Sequence, residues 1–199
     1  MIPPAMRKNP TRLFAVQGLA ILLAAVTALS CVSSGGGGAT TPGPSGSFIA
    51  SFTPDNPTPE DNTVNLFQAP GGAGNQLTIN VGITGVNDVF GASFRIVYDP
   101  ARVHFDDWTA GSLFEGNGQT ALYQVSPVSP GVVEVGVSCA GCFSGIDVSS
   151  TETIVQMIFS AEVEGDSSMS FVAADLLDAQ NPPGPIAGLA WDGGTLTAR

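Results

Sequence analysis

At 199 residues, with 25 Gly, 15 Pro and only 12% charged side chains, the chain holds material for one modest domain plus extra segments, not for two full cores. All 17 acidic residues lie after Cys31, where only three arginines oppose them, a formal balance of −14. Such a surface repels polyanions and anionic headgroups, which argues against a DNA-binding or RNA-binding protein.

The chain opens with an export signal. Arg7, Lys8 and Arg12 form a basic head, and Leu13 to Leu29 an apolar run interrupted by Gln17. The run ends in Ala28-Leu29-Ser30-Cys31, which resembles the lipobox of bacterial lipoproteins with its first two preferences, Leu and then a small residue, exchanged. Lipidation of Cys31, and so a lipid anchor at the bacterial cell envelope, is the expectation; an ordinary signal peptide or an uncleaved anchor are the other readings. Residues 1–31 are thus assigned to the signal and 32–61 to a linker. The stretch "VSSGGGGATTPGPSGS" cannot bury enough apolar surface to order itself, and as a flexible coil it spans roughly 20 Å. "FIASF", Phe48 to Phe52, is an apolar island inside that linker that could serve as a first edge strand.

From Asn62 to the end, assigned as one domain over 62–199, apolar residues recur with period two. Leu77, Ile79, Val81 and Ile83 form one such face, and Phe90, Ala92, Phe94, Ile96 and Tyr98 a second. Val133, Val135 and Val137 form a third, Val155, Met157, Phe159, Ala161 and Val163 a fourth, and Met169 with Phe171 a shorter one. Half-buried strands separated by Gly, Pro, Asn and Asp, with no amphipathic helix between them, predict an all-β sandwich of roughly eight strands. At Asp99-Pro100 the proline ends the ladder and the aspartate can bond the turn, so Tyr98 closes an inward row and "RVHF" starts the next strand. Cys139 and Cys142 form the Cys-x-x-Cys of "SCAGC". In an exported chain with no second Cys pair a local disulfide is expected ahead of a redox or half-zinc role.

The order of "QLTINVGITGV", "GASFRIVYDPARVHF", "TALY", "GVVEVGVSC", "TIVQMIFSAEV" and "WDGGTLT" resembles a cohesin domain over most of Val64 to Ala198. That resemblance implies a jelly-roll β-sandwich that is not an enzyme and that holds a calcium-loaded dockerin-like protein partner on one flat face, in polysaccharide degradation or cell-surface assembly. It implies no cofactor of the chain's own, since calcium would arrive only with the partner. The outward row Gly91, Ser93, Arg95 and Val97, together with Tyr123 and Glu134, is the implied partner-binding site. Gly91 and Ser93 stand where cohesins of the cellulosome type tend to carry Asn and Asp, and of the two only Ser93 keeps hydrogen-bonding capacity.

Two other readings compete. Related sandwiches bind polysaccharide by stacking sugar rings on exposed aromatics, for which Trp108 and Tyr123 are the candidates. A structural role in a secretion or pilus-type envelope assembly is the other, through an edge strand or a flat face. Catalysis is disfavoured: His104 is the lone histidine, no Gly-x-Ser-x-Gly elbow exists, and Asp106 and Asp107 are adjacent, so in a regular strand they would point to opposite faces.

Overall fold

The computed structural model describes residues 49–199; the export signal, Cys31 and the linker as far as Phe48 lie outside the described residues. Twelve strands and one short helix follow in chain order. They are β1 (Ala50–Pro54), β2 (Thr63–Gln68), β3 (Gln76–Thr84), β4 (Val86–Val97), β5 (Val103–Ala110), α1 (Ser112–Glu115), β6 (Ala121–Ser129), β7 (Val132–Cys139), β8 (Ile146–Val148), β9 (Glu152–Ala161), β10 (Gly165–Asp178), β11 (Ala190–Asp192) and β12 (Gly194–Ala198). One sheet runs β1-β12-β10-β4-β7-β6 with β8 on the end of β4; the other runs β11-β2-β3-β9-β5. The described residues therefore form the β-sandwich that the alternation predicts, with the jelly-roll architecture that the resemblance implies. More strands appear than the roughly eight expected because β1, β8 and β11 are too short to show a period. The sandwich also begins earlier than Asn62: β1, from the apolar island, pairs antiparallel with β12, Phe52 opposite Leu196.

Alternation decides which side of each strand is buried. Ala92, Phe94 and Ile96 of β4 point inward beside Val133, Val135 and Val137 of β7, and they meet Ile79, Val81, Met157 and Phe159 from the other sheet. Removing an aliphatic or Phe side chain of this kind from water contributes about 1.5–3 kcal/mol. The aromatic rings interlock edge to face: Phe94 on Phe171 at 5.5 Å, Phe171 on Trp191 at 5.1 Å, and Tyr98 on Phe159 at 5.4 Å. Tyr98 is core, and burial raises its phenol pKa above the ordinary value.

The Tyr-Asp-Pro turn is built as its residues demand. Asp99 Oδ1 accepts the Ala101 N–H at 2.9 Å, and the Asp99 carbonyl accepts the N–H groups of Arg102 and Val103. The Tyr98 N–H donates to the Gly131 carbonyl at 2.9 Å, and Gly131 has φ +75°. A Cβ at Gly131 would press on the Tyr98 carbonyl and the Pro100 ring, so only glycine fits.

Candidate docking face

The outward side of the seven-stranded sheet presents the centre of β4. Ser93 and Arg95 are exposed and Val97 half-buried, and they stand opposite Gly136, Glu134 and Val132 of β7. Arg95 and Glu134 close an ion pair there: Nη2 lies 2.6 Å and Nε 2.7 Å from the same carboxylate oxygen, Oε2. The only cation of the row is thereby neutralised. Gly91 continues the row in sequence but is buried, and a Cβ there would crowd the Val137 carbonyl, so this position contributes backbone alone.

Tyr123 does not join this face. It is paired with the inward-pointing Val137, so it faces the interior, and its hydroxyl donates to the Ile154 carbonyl at 3.2 Å. Desolvation by that burial, and secondarily the charge of Glu115, raise its pKa. The outward residues of β6 are Leu122, Gln124 and Ser126, opposite Ser138, Gly136 and Glu134. The signal was present in the sequence: Ala121, Tyr123 and Val125 are the apolar alternation of "ALYQVS", which sets Leu122 and Gln124 on the other side. Because Gly136 lacks a side chain, a shallow depression of about 370 Å³ opens there, walled by Leu122, Gln124 and Ser138. Leu122 is 66% exposed, a large apolar group displayed beside the hollow.

On the opposite flank β10 brings Val172 opposite Arg95 and Asp175 opposite Ser93. Between them lies a bulge, with Ala173 at φ +47°. The bulge interrupts the alternation after Phe171, which is why only the short Met169/Phe171 face is legible in the sequence, and it gives this face local twist.

The two aromatics proposed for sugar stacking face each other instead of solvent. Trp108 sits opposite the inward Met157, and its ring lies 5.5 Å from that of Tyr123. Together with the buried Leu113 and Phe114 of α1 they close the sandwich between β5 and β6. The four-residue α1 is too short to leave an amphipathic pattern.

Among the described residues no cluster of three metal-ligating side chains occurs. His104 pairs with Asp106 at 2.9 Å on the outer side of the other sheet. Asp106 also accepts from Ser160 Oγ and from Gln76 Nε2 at 3.0 Å. Partial burial pushes the Asp106 pKa up, but the hydrogen bonds from Ser160, His104 and Gln76 outweigh it and hold the pKa below the ordinary carboxylate value. A register shift after Phe105 breaks the regular strand on which the opposed placement of Asp106 and Asp107 was argued; both are exposed, and Asp107 accepts the Trp108 N–H at 2.8 Å. Each carboxylate is engaged structurally. Cys139 and Cys142 are joined by a disulfide at the end of β7, Cα to Cα 5.7 Å, and the next residue, Phe143, is fully exposed.

Comparison with known proteins places this architecture. A type II cohesin in a cohesin–X-dockerin complex from Acetivibrio cellulolyticus superposes with a TM-score of 0.51 at 16% identity, over 64% of this chain and 92% of that one. The seventh ScaB type I cohesin of Pseudobacteroides cellulosolvens gives 0.51 at 11%, over 66% and 88%. A non-cellulosomal cohesin of the archaeon Archaeoglobus fulgidus gives 0.50 at 15%, over 68% and 89%. At these identities the structural likeness speaks for the fold alone. No curated protein matches the chain. The cohesin domain model matches residues 63–183, more than half of the sequence, and the chain belongs to the cohesin domain family.

Proposed function

We propose that this chain is a non-catalytic docking module whose outward β10-β4-β7-β6 face holds a calcium-loaded dockerin-like protein. The observation that carries the reading is the open face of a cohesin sandwich at which Arg95 is already neutralised by Glu134, next to the Gly136 hollow and the exposed Leu122. A surface of this kind offers a partner an apolar seat and hydrogen-bonding rims. Ser93, Arg95, Val97 and Glu134 are the contact residues retained from the sequence; Leu122, Gln124, Val172 and Asp175 complete them. Calcium belongs to the partner. On this reading Arg7 to Leu29 serves as an export signal, Cys31 takes a lipid anchor outside the cytoplasm, and the Gly/Ser-rich segment spaces the module from the membrane.

The test is calorimetry of the protein against dockerin modules of its own organism, with calcium and again with excess chelator. Saturable one-to-one binding that disappears on chelation is the expected result. Binding to insoluble polysaccharide with no dockerin response would overturn it.

A further inference from the structure

Among the described residues two buried side-chain polar atoms have no hydrogen-bond partner, Asn65 Oδ1 and Asn80 Oδ1, and both belong to the outer side of the five-stranded sheet. Alternation puts them there: Val64, Leu66, Ile79 and Val81 point into the core, so Asn65, Phe67 and Asn80 point away from it. Phe67 stands opposite Asn80, and Asn65 opposite Gly82. A Cβ on Gly82 would meet the Phe67 ring at 2.5 Å and Asn65 Oδ1 at 2.9 Å, so ring and amide oxygen share the space that this glycine leaves. The segment between β1 and β2 folds over the spot. Its Asn56 carbonyl accepts a long bond from Asn65 Nδ2 at 3.5 Å, which leaves the oxygen as the free end of the amide, and Asn56 Nδ2 is itself fixed to Asp192 Oδ2 at 2.9 Å. Between segment and sheet remains a hollow of about 220 Å³, walled by Pro54, Pro57 and Pro59, with Asn65 and Phe67 on the sheet side and Thr151 at the rim.

We infer that this hollow is a binding site for one neutral sugar ring. The lining selects the ligand class. No ionised side chain lines it, so a charged ligand would be desolvated there without a counter-charge. An anion would in addition bring only acceptors to an amide oxygen that lacks a donor. Three prolines and a phenyl ring offer apolar contact, and the unpaired amide oxygen calls for an O–H or N–H donor. A sugar ring presents both, C–H bonds on its faces and hydroxyls around its edge. The volume is below the ~300 Å³ at which sites for drug-sized ligands begin, which suits a single ring. Both oxygens are buried, so the half-buried Phe67 ring must yield as the sugar enters, and a hydroxyl that passes it reaches Asn80 Oδ1. This place is distinct from the Trp108 and Tyr123 pair, which closes the sandwich. It lies on the sheet opposite the docking face and stands independently of what docks there.

NMR titration of residues 49–199, which close their own core, tests it with the methyl glycosides of glucose, galactose, mannose, xylose and N-acetylglucosamine. The expected result is saturable shifts, with at least one of these sugars, in the side-chain amide signals of Asn65 and Asn80 and in the Phe67 ring. Salt leaves them unchanged, because no ionised group lines the site. Thr151→Trp fills the rim from an exposed position, keeps the parent melting curve and weakens the sugar about tenfold or more. If it melts lower than the parent, Pro57→Trp, also at an exposed position, takes its place. No response to any of the five sugars overturns the inference, with water then the donor to both oxygens. Shifts with methylammonium alone that vanish in salt overturn it too, as does sugar binding that the rim variant leaves intact.

Discussion

Arg95 and Glu134 stand opposite each other on adjacent strands, with two guanidinium nitrogens on one carboxylate oxygen at 2.6 and 2.7 Å. Both side chains are partly exposed, so the pair stabilises the fold by less than about 1 kcal/mol. Its effect is on the face. Arg95→Ala leaves an unpaired carboxylate in the centre of the docking surface, and Glu134→Ala leaves an unpaired guanidinium. Each is expected to keep the parent stability in urea unfolding. Each weakens dockerin binding by calorimetry more than the double variant does, because the double variant leaves no unpaired charge to desolvate.

The ring pair of Trp108 and Tyr123 is expected to behave as structure. Trp108→Ala removes a half-buried ring from the closed edge and costs on the order of 2 kcal/mol in urea unfolding. Tyr123→Phe deletes the bond to the Ile154 carbonyl and costs about 1 kcal/mol. If Trp108→Ala instead left stability intact and abolished retention on polysaccharide, the ring would be a sugar platform.

Two backbone positions carry opposite expectations. At Gly131, φ +75° combines with the nearby Tyr98 carbonyl and Pro100 ring, so Gly131→Ala destabilises by about 2 kcal/mol or more. At Ala173, φ +47° on an exposed bulge is strained for a residue with a Cβ, and Ala173→Gly is expected to stabilise by about 1 kcal/mol. Thermal unfolding of the two variants beside the parent checks both signs.

The Asp106 network gives a pH dependence of definite sign. Its folded pKa lies below the ordinary value, so its contribution to stability is present above the unfolded carboxylate pKa, about 3.9. That contribution is lost as pH falls through the folded pKa. Asp106→Asn should therefore melt below the parent at neutral pH, and the gap between the two should close on acidification. A gap that widened toward low pH would contradict the assigned cause.

The sandwich was legible because β3, β4, β7 and β9 are long and each carries a sustained run of period-two apolar residues, the clearest signal a half-buried strand gives. The same alternation set the outward row of β4, and its reading as a docking face came from the cohesin resemblance. What escaped has local causes. Tyr123 was placed on that face by the cohesin resemblance, although the phase of Ala121, Tyr123 and Val125 turns it inward. Val172 and Asp175 escaped because the bulge at Ala173 shifts the register between them. The role of Gly136 as the floor of a hollow depends on neighbours distant in sequence.

The most direct test sets the two outer faces of the sandwich against each other. Ser93→Arg puts bulk and charge into the centre of the proposed docking face, and Thr109→Arg does the same on the outer side of the five-stranded sheet. Both positions are exposed, so each substitution should change stability by no more than about 0.5 kcal/mol. Calorimetric titration with a calcium-loaded dockerin is predicted to show binding lost in Ser93→Arg and unchanged in Thr109→Arg. Retained binding in Ser93→Arg with loss in Thr109→Arg would place the docking site on the opposite sheet and contradict the account.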